Sequence, residues 1–562
     1  MKTTGLLVLV LSSQVLLGGV LHKGPKVSPP RDASGDESRI LSRYMGPYPS
    51  TYSLGPGDSI CFTTYDYGSN GSPLRNLINY GDGHLAIVRM AAQDTLGGWP
   101  TRGGYHFCSS DGGQRWSECR GRIEYERTGW DNVDQVRDAG GTEVVVSHVP
   151  GISVMITIDA DRCMGVWSTS IGSSGAYLYP RIAVGSESVV HVVYTHNHPP
   201  TELLYMRSED GGIIWSIDIP ICTTPSFSQE SGDHFDITAR GSDVAVVCAG
   251  SGGDVVLARS TDLGLSWTET IIYDIDEALQ TPNELVPDGS CGVIFDRDNN
   301  PHVVWGTFLS PGDGILQYSL DAGIMYWSEG TGIDTIAFSI QDTTICIPPG
   351  REGNYVSGPD IGVDSLSGVY VIYSQVIPER DTAGNCYEHV YAVASNDNGL
   401  TWSDAADITP GSGFDAAFPS LADLVDENLH IVYNCDPFAG NSVQLNHGLL
   451  QTAIMYLQVP ASIFTGVQEV NGVLPSSFEL GQNYPNPFNS RTRIGVRISD
   501  YEPVRLMVFD VLGREIATLM NETKWPGKYE VEWDATGFSS EVYIVRMIAG
   551  PFVATRKLIL LR

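Results

Sequence analysis

SEDGGIIW occupies residues 208–215, and its skeleton SxDxGxxW returns at SSDGGQRW (109–116), STDLGLSW (260–267) and SNDNGLTW (395–402). A fifth copy, stretched by one residue, reads SLDAGIMYW (319–327). Five copies in a chain of 562 residues indicate a repeated supersecondary unit. The residue types suit a turn that must be rigid without a core of its own. Gly113, Gly212, Gly264, Gly323 and Gly399 can take a positive φ at little cost. The serine and aspartate pairs Ser109/Asp111, Ser208/Asp210, Ser260/Asp262, Ser319/Asp321 and Ser395/Asp397 can cap backbone N–H groups. Trp116, Trp215, Trp267, Trp327 and Trp402 can fold back between neighbouring sheets. A charge-assisted hydrogen bond contributes about 1.5–3 kcal/mol. Burying a tryptophan of about 200 Å² at ~25 cal/mol/Å² has an upper value near 5 kcal/mol.

A second phrase recurs between the boxes: two β-branched residues, often followed by an aromatic one. Its copies centre on Ile87/Val88, Val145/Val146, Val192/Val193, Val246/Val247, Val303/Val304, Val371/Ile372 and Ile431/Val432, spaced 47 to 68 residues apart. That interval suits a four-stranded propeller blade with variable loops. With no sustained 3.6-residue periodicity, the chain reads as all-β. The expected fold is a seven-bladed β-propeller followed by a small Ig-like β-sandwich. The stretch GDSICFTTYDYGSNGS supplies one good strand, residues 59–67, that can complete the last blade and close the ring. Six blades with a separate N-terminal hairpin is the alternative.

SxDxGxxW resembles the Asp box, or BNR repeat, of sialidases and related secreted propellers, over residues of about 77–457. The resemblance implies a hairpin between the third and fourth strands of each blade, away from any ligand. It says little about activity. TIDADRCMGVW (157–167) departs from the pattern, with Asp159 or Asp161 misplaced, and no box follows the seventh apolar phrase.

After a linker at 459–475 the composition changes. Turn and strand signals over 476–562 describe a sandwich of the kind formed by short hairpins. QNYPNPFN, VFDVLGRE, YEVEWDATG and RKLILLR, in that order, resemble the type A C-terminal sorting domain of the type IX secretion system. Glu541 stands where that family usually has glycine. The resemblance implies recognition by the secretion machinery, passage across the outer membrane of a Gram-negative bacterium, and removal of the tail with release or surface attachment.

At the other end, residues 1–20 join Lys2 to a short apolar run, as a secretory signal peptide does, and 21–56 read as a leader. The propeller is expected over 57–458, with no transmembrane anchor. Cys108 and Cys119 flank the first box and could face each other across its hairpin, the alternative being that most of the ten cysteines are buried thiols. Without a CxxC spacing no metal site or cofactor is expected, although a structural cation stays open. The net charge of −33 lies in the main body, since residues from Leu474 onward carry 11 basic and 10 acidic side chains. Such a surface repels nucleic acid.

Ligands of propellers meet one mouth of the channel, where loops lead into the innermost strands. A sialidase-type exo-glycoside hydrolase needs arginine forks around a carboxylate. Arg75, Arg137 and Arg181 precede the first three apolar phrases, but no tyrosine nucleophile with its glutamate can be paired by spacing. Asp233, Asp236, Asp288, Asp360 and Asp415, with His234, gather at the same mouth as a cation site, as paired carboxylates, or simply as turn residues. His191, His302 and His430 recur at one strand position and are read as parts of the repeat. Loops at 195–202 and 376–388 could shape a pocket. The favoured reading is a secreted or cell-surface propeller that binds glycans or surface polymers at the channel mouth; the alternative is the sialidase.

Overall fold

The computed structural model describes residues 44–46, 54–223, 233–275, 284–310, 318–346, 354–465 and 478–561, less a few short pieces within those ranges. The proposed signal peptide, most of the leader, and Arg137 lie outside the described residues. Nearly all the regular structure of the described chain is strand, the one α-helix being Ser462–Thr465. Each apolar phrase is a second strand, buried on both faces because a sheet packs on either side of it.

Seven antiparallel sheets follow one another from Leu77–Asn79 to Thr452–Pro460. Each first strand lies against the sheet before it: Gly129–Val136, Tyr177–Val184, Phe235–Arg240, Glu284–Phe295, Val356–Val363 and Asp415–Leu421 in turn. The last sheet comes back against the first. Its outermost strand is Asp58–Thr63, paired antiparallel with Thr452–Pro460, so the two ends of the propeller share one sheet. This joint places the closing strand where the sequence put it and covers the edge of Thr452–Pro460. The first sheet has three strands, with only a single bridge from Tyr105 to Arg122 beyond them.

The boxes at Ser109, Ser208, Ser260 and Ser395 each begin at the end of a third strand. In all four the serine Oγ donates to the aspartate (2.7–3.0 Å) and accepts the glycine N–H (2.8–2.9 Å). The aspartate then accepts N–H groups further round the turn, from Arg115, Ile214, Ser266 and Thr401. Gly264, at φ 80°, has no room for a Cβ, which would collide with the Tyr205 hydroxyl of the preceding sheet. Trp267 meets the same Tyr205 edge to face, and His191 hydrogen-bonds that hydroxyl at 2.7 Å. The unit repeats as Trp402, Tyr326 and His302, and as Trp116, Tyr456 and His430. Each recurrent histidine therefore holds a tyrosine of its own sheet, and that tyrosine meets the tryptophan of the next sheet. Burial pushes His191 down to about 3, so it is neutral.

SLDAGIMYW is corrected. Ser319 and Asp321 precede the third strand, Gly323–Ser328, which contains Gly323 and Trp327. Its hairpin turn follows Ser328, whose Oγ meets Thr331 at 2.8 Å. The matching spacing is coincidental, because Ser328, and not Ser319, ends the strand. In the second sheet Asp159 occupies the serine's place and accepts N–H groups from Ala160, Gly165 and Val166.

The cysteine expectation is also corrected. Cys108 bonds Cys163 and Cys119 bonds Cys61; Cys222–Cys248 and Cys346–Cys386 complete four disulfides, leaving Cys291 and Cys435 as buried thiols. Three of the bridges tie one sheet to the next and Cys346–Cys386 ties a connection to the strand Cys386–Ser395, an arrangement that a hairpin-based pairing rule cannot see. The 376–388 loop is instead a long hairpin, Val369–Arg380 with Cys386–Ser395, whose turn is capped by Asp381.

The tail stacks Glu479–Leu480, Arg491–Ile498 and Gly527–Asp534 against a four-stranded sheet, with Trp533, Phe488, Leu506 and Val545 among its core. Asn486, from the NPFN turn, accepts the Ile559 N–H and donates to Lys557 O, fastening the last strand. Among the described residues no helix is long and apolar enough to cross a membrane.

Candidate functional site: two ends of one channel

The chain between the closing strand and the first sheet crosses the leading ends of the innermost strands. Ser72 donates its N–H to Asp233 O (3.2 Å) and accepts the Cys291 N–H on its hydroxyl (3.1 Å). Arg181 donates to Ser72 O (2.8 Å) and pairs with Asp233 (3.2 Å), both side chains being 1 % exposed or less. Asp233 also accepts from Ser69 Oγ and Trp130 Nε1. The mouth expected to hold a ligand is thus covered by residues 64–76. What remains is a cavity of about 40 Å³, lined by Tyr67, Asn70, Arg89, Asp288 and Ser357 among others, which has room for water but not for a sugar ring.

Arg75 leaves this cover and runs down the axis. Its guanidinium donates to Ile182 O (3.2 Å) and Ile237 O (3.0 Å), and lies 3.5 Å from Asp134 and 3.3 Å from Asp423. Burial would lower its pKa, but Asp423, Asp236, Asp134 and Asp360 outweigh that and hold it charged. Three of these acids do a second job. Asp134 accepts the Val184 N–H (2.8 Å), Asp236 that of Val293 (3.0 Å) and Asp360 that of Leu421 (2.8 Å), each reaching to the next sheet. Burial raises Asp236, and lifts Asp360 to about 7.

The candidate residues therefore separate. Arg181 and Asp233 come together under the cover, Arg75 and Asp360 meet on the axis, and no described arginine pair forms an open fork. Asp288 accepts from Ser290 and Ser357, and Asp415 from the Glu388 and Gly440 N–H groups, so both are satisfied within the fold. Asp415 and Glu388 do form a pair of buried carboxylates; burial, reinforced by Glu388, raises Asp415 well above its usual value. Asp134 was missed by sequence reasoning, although it matches Asp236 and Asp360 in its place on a first strand.

At the trailing ends of the innermost strands the channel opens into a cavity of about 520 Å³. Asn79, Tyr80, Gln135, Arg162, Arg240 and Asp423 line it among others. Arg162 stacks over the Tyr80 ring at 4.9 Å and pairs with Asp82 at 2.9 Å. Tyr80 donates to Glu143 (2.6 Å), which fixes its ring at the wall. Burial and the adjacent Glu143 raise its pKa far out of the physiological range, so it stays a neutral phenol.

Comparison with curated proteins returns no match to this chain. Among solved structures, the BP39L lectin from Burkholderia pseudomallei aligns with a TM-score of 0.44 at 13% identity, over 70% of this chain and 97% of that one. The Trypanosoma rangeli sialidase, in complex with the inhibitor DANA, aligns at 0.33 and 10%, over 78% and 86%. A Dyadobacter fermentans protein of unknown function aligns at 0.36 and 14%, over 61% and 99%. Residues 482–561 match the family model of the secretion system C-terminal sorting domain. The chain is a β-propeller that carries a secretion-system sorting domain at its C-terminal end.

Proposed function

We propose that this is an exported propeller that binds a glycan or surface polymer in the cavity at the trailing mouth of its channel. The observation that carries the reading is the cavity itself: about 520 Å³ lies within the range of small-ligand pockets. Its walls offer amide and guanidinium donors from Gln135, Arg162 and Arg240, groups that bind hydroxyl and carboxylate oxygens in pairs. The sorting domain supports export by the type IX route to the cell surface or medium, followed by removal of the tail. Deleting residues 476–562 should hold the protein inside the cell envelope, as fractionation would show.

Binding is tested on a glycan array that includes uronic and sialic acids, with Arg240→Ala and Arg162→Ala beside the wild type. Saturable binding that either substitution weakens supports the reading. Turnover of a fluorogenic sialoside that Arg181→Ala abolishes would replace it with the hydrolase. Binding that ignores both cavity arginines would move the site elsewhere.

A further inference from the structure

Asp66, Asp436 and His447 meet where the two ends of the ring are joined. Asp66 lies just beyond the closing strand Asp58–Thr63, Asp436 ends the strand Asn428–Asp436, and His447 lies between that strand and Thr452–Pro460. Their side chains are 3, 5 and 6 % exposed, and His447 Nε2 stands 3.6 Å from Asp66 Oδ2 and 3.7 Å from Asp436 Oδ2. His447 Nδ1 lies 2.9 Å from the Gly448 carbonyl and donates to it. Nε2 faces two carboxylate oxygens, with no hydrogen bond among the described residues. Two carboxylates facing one another away from water repel unless positive charge lies between them.

We propose that Asp66 Oδ2, Asp436 Oδ2 and His447 Nε2 bind a divalent transition-metal cation, zinc or manganese, that clasps the closure of the ring. Bonds of about 2.0–2.2 Å at a tetrahedral angle separate ligand atoms by about 3.4 Å, close to the spacings found. One imidazole with two carboxylates suits zinc or manganese, whereas calcium prefers oxygen alone. The carboxylates are already oriented: Ser442 donates its N–H (2.8 Å) and hydroxyl (2.9 Å) to Asp66, and Phe438 N–H (2.9 Å) and Thr452 Oγ1 (2.7 Å) donate to Asp436. Because the clasp joins segments far apart in sequence, it acts on the same large loop as the closing strand. A second gathering, His106, Cys108, Glu143 and Cys163, has both sulfurs in one disulfide.

The test uses the full chain, prepared without chelator. Elemental analysis should find one zinc or manganese ion per chain. Chelation should lower the Tm by several degrees, and re-addition of either metal should restore it. Amide exchange of residues 58–66 should quicken on chelation. His447→Gln and Asp436→Asn should lack the ion and ignore chelator. The wild-type arm stands even if the variants fold poorly. Metal-free protein whose Tm responds to neither chelator nor added zinc or manganese would overturn the proposal, as would an imidazolium signal from His447 at neutral pH, which would show a proton where the metal should be.

Discussion

The two mouths of the channel are built from the two ends of the same innermost strands, yet one is sealed and the other open. At the leading end Arg181 and Asp233 are paired beneath residues 64–76. At the trailing end Arg162 and Arg240 border a cavity of about 520 Å³. Similar side chains therefore hold the fold together at one end and border open space at the other. The difference follows from ring closure. The chain that leaves the closing strand in the last sheet must reach the axis to start the first, and crossing the leading mouth is its path.

The sharpest way to break this contrast is Asp233→Ala. It strips Arg181 of its carboxylate in a site closed to water, so the expected loss of stability is about 3–5 kcal/mol, read as a fall in denaturant midpoint. If Arg181 were instead a ligand clamp, stability would hold while binding failed. Trp267→Ala should come next, at about 2 kcal/mol. The indole is half-buried, and the substitution removes its edge contact with Tyr205 as well as area, without affecting either mouth. Arg240→Ala should leave stability within about 0.5 kcal/mol of wild type and weaken glycan binding about tenfold, measured by titration calorimetry.

The sheets were legible because every blade repeats the same problem: Val192, Val246 and Val371 must fill equivalent places, and Ser208, Asp210 and Gly212 must solve the same turn as Ser395, Asp397 and Gly399. Repetition also explains the misreading at Ser319, where spacing imitated the box but the strand ended at Ser328. The closing strand was visible as a good strand without a neighbour. The cover over the leading mouth was not, because Ser69, Ser72 and Arg75 belong to no repeat and act through partners more than 100 residues away, such as Asp233 and Ile182. The disulfides escaped for the same reason. Cys108 and Cys119 are near in sequence, but each faces a different neighbouring sheet. Asp360 was noticed as an acid at the mouth, whereas its task on the axis depends on Leu421 and Arg75, which spacing cannot supply.

Acid and base should distinguish the axis from the rim, with a smaller effect and opposite signs. Asp360 is lifted to about 7 chiefly by burial, so the folded chain holds its proton more tightly than the unfolded chain. Its contribution is most favourable below the unfolded value near 4 and declines as pH rises through about 7. Asp262, in an exposed box turn, is pushed down to about 2 by hydrogen bonds from the Ser266 hydroxyl and N–H and from the Ser260 hydroxyl. Its contribution is complete above about 4 and fades as pH falls through about 2. Asp360→Asn should therefore flatten the decline of Tm between about pH 4 and 7, and Asp262→Asn should flatten the loss at lower pH and leave the upper window unchanged. Melting curves across the range check both. An Asp360→Asn protein whose Tm kept the wild-type slope up to neutral pH would mean that this carboxylate is already ionised against Arg75, and the axis would then be an ion-pair network like the sealed mouth.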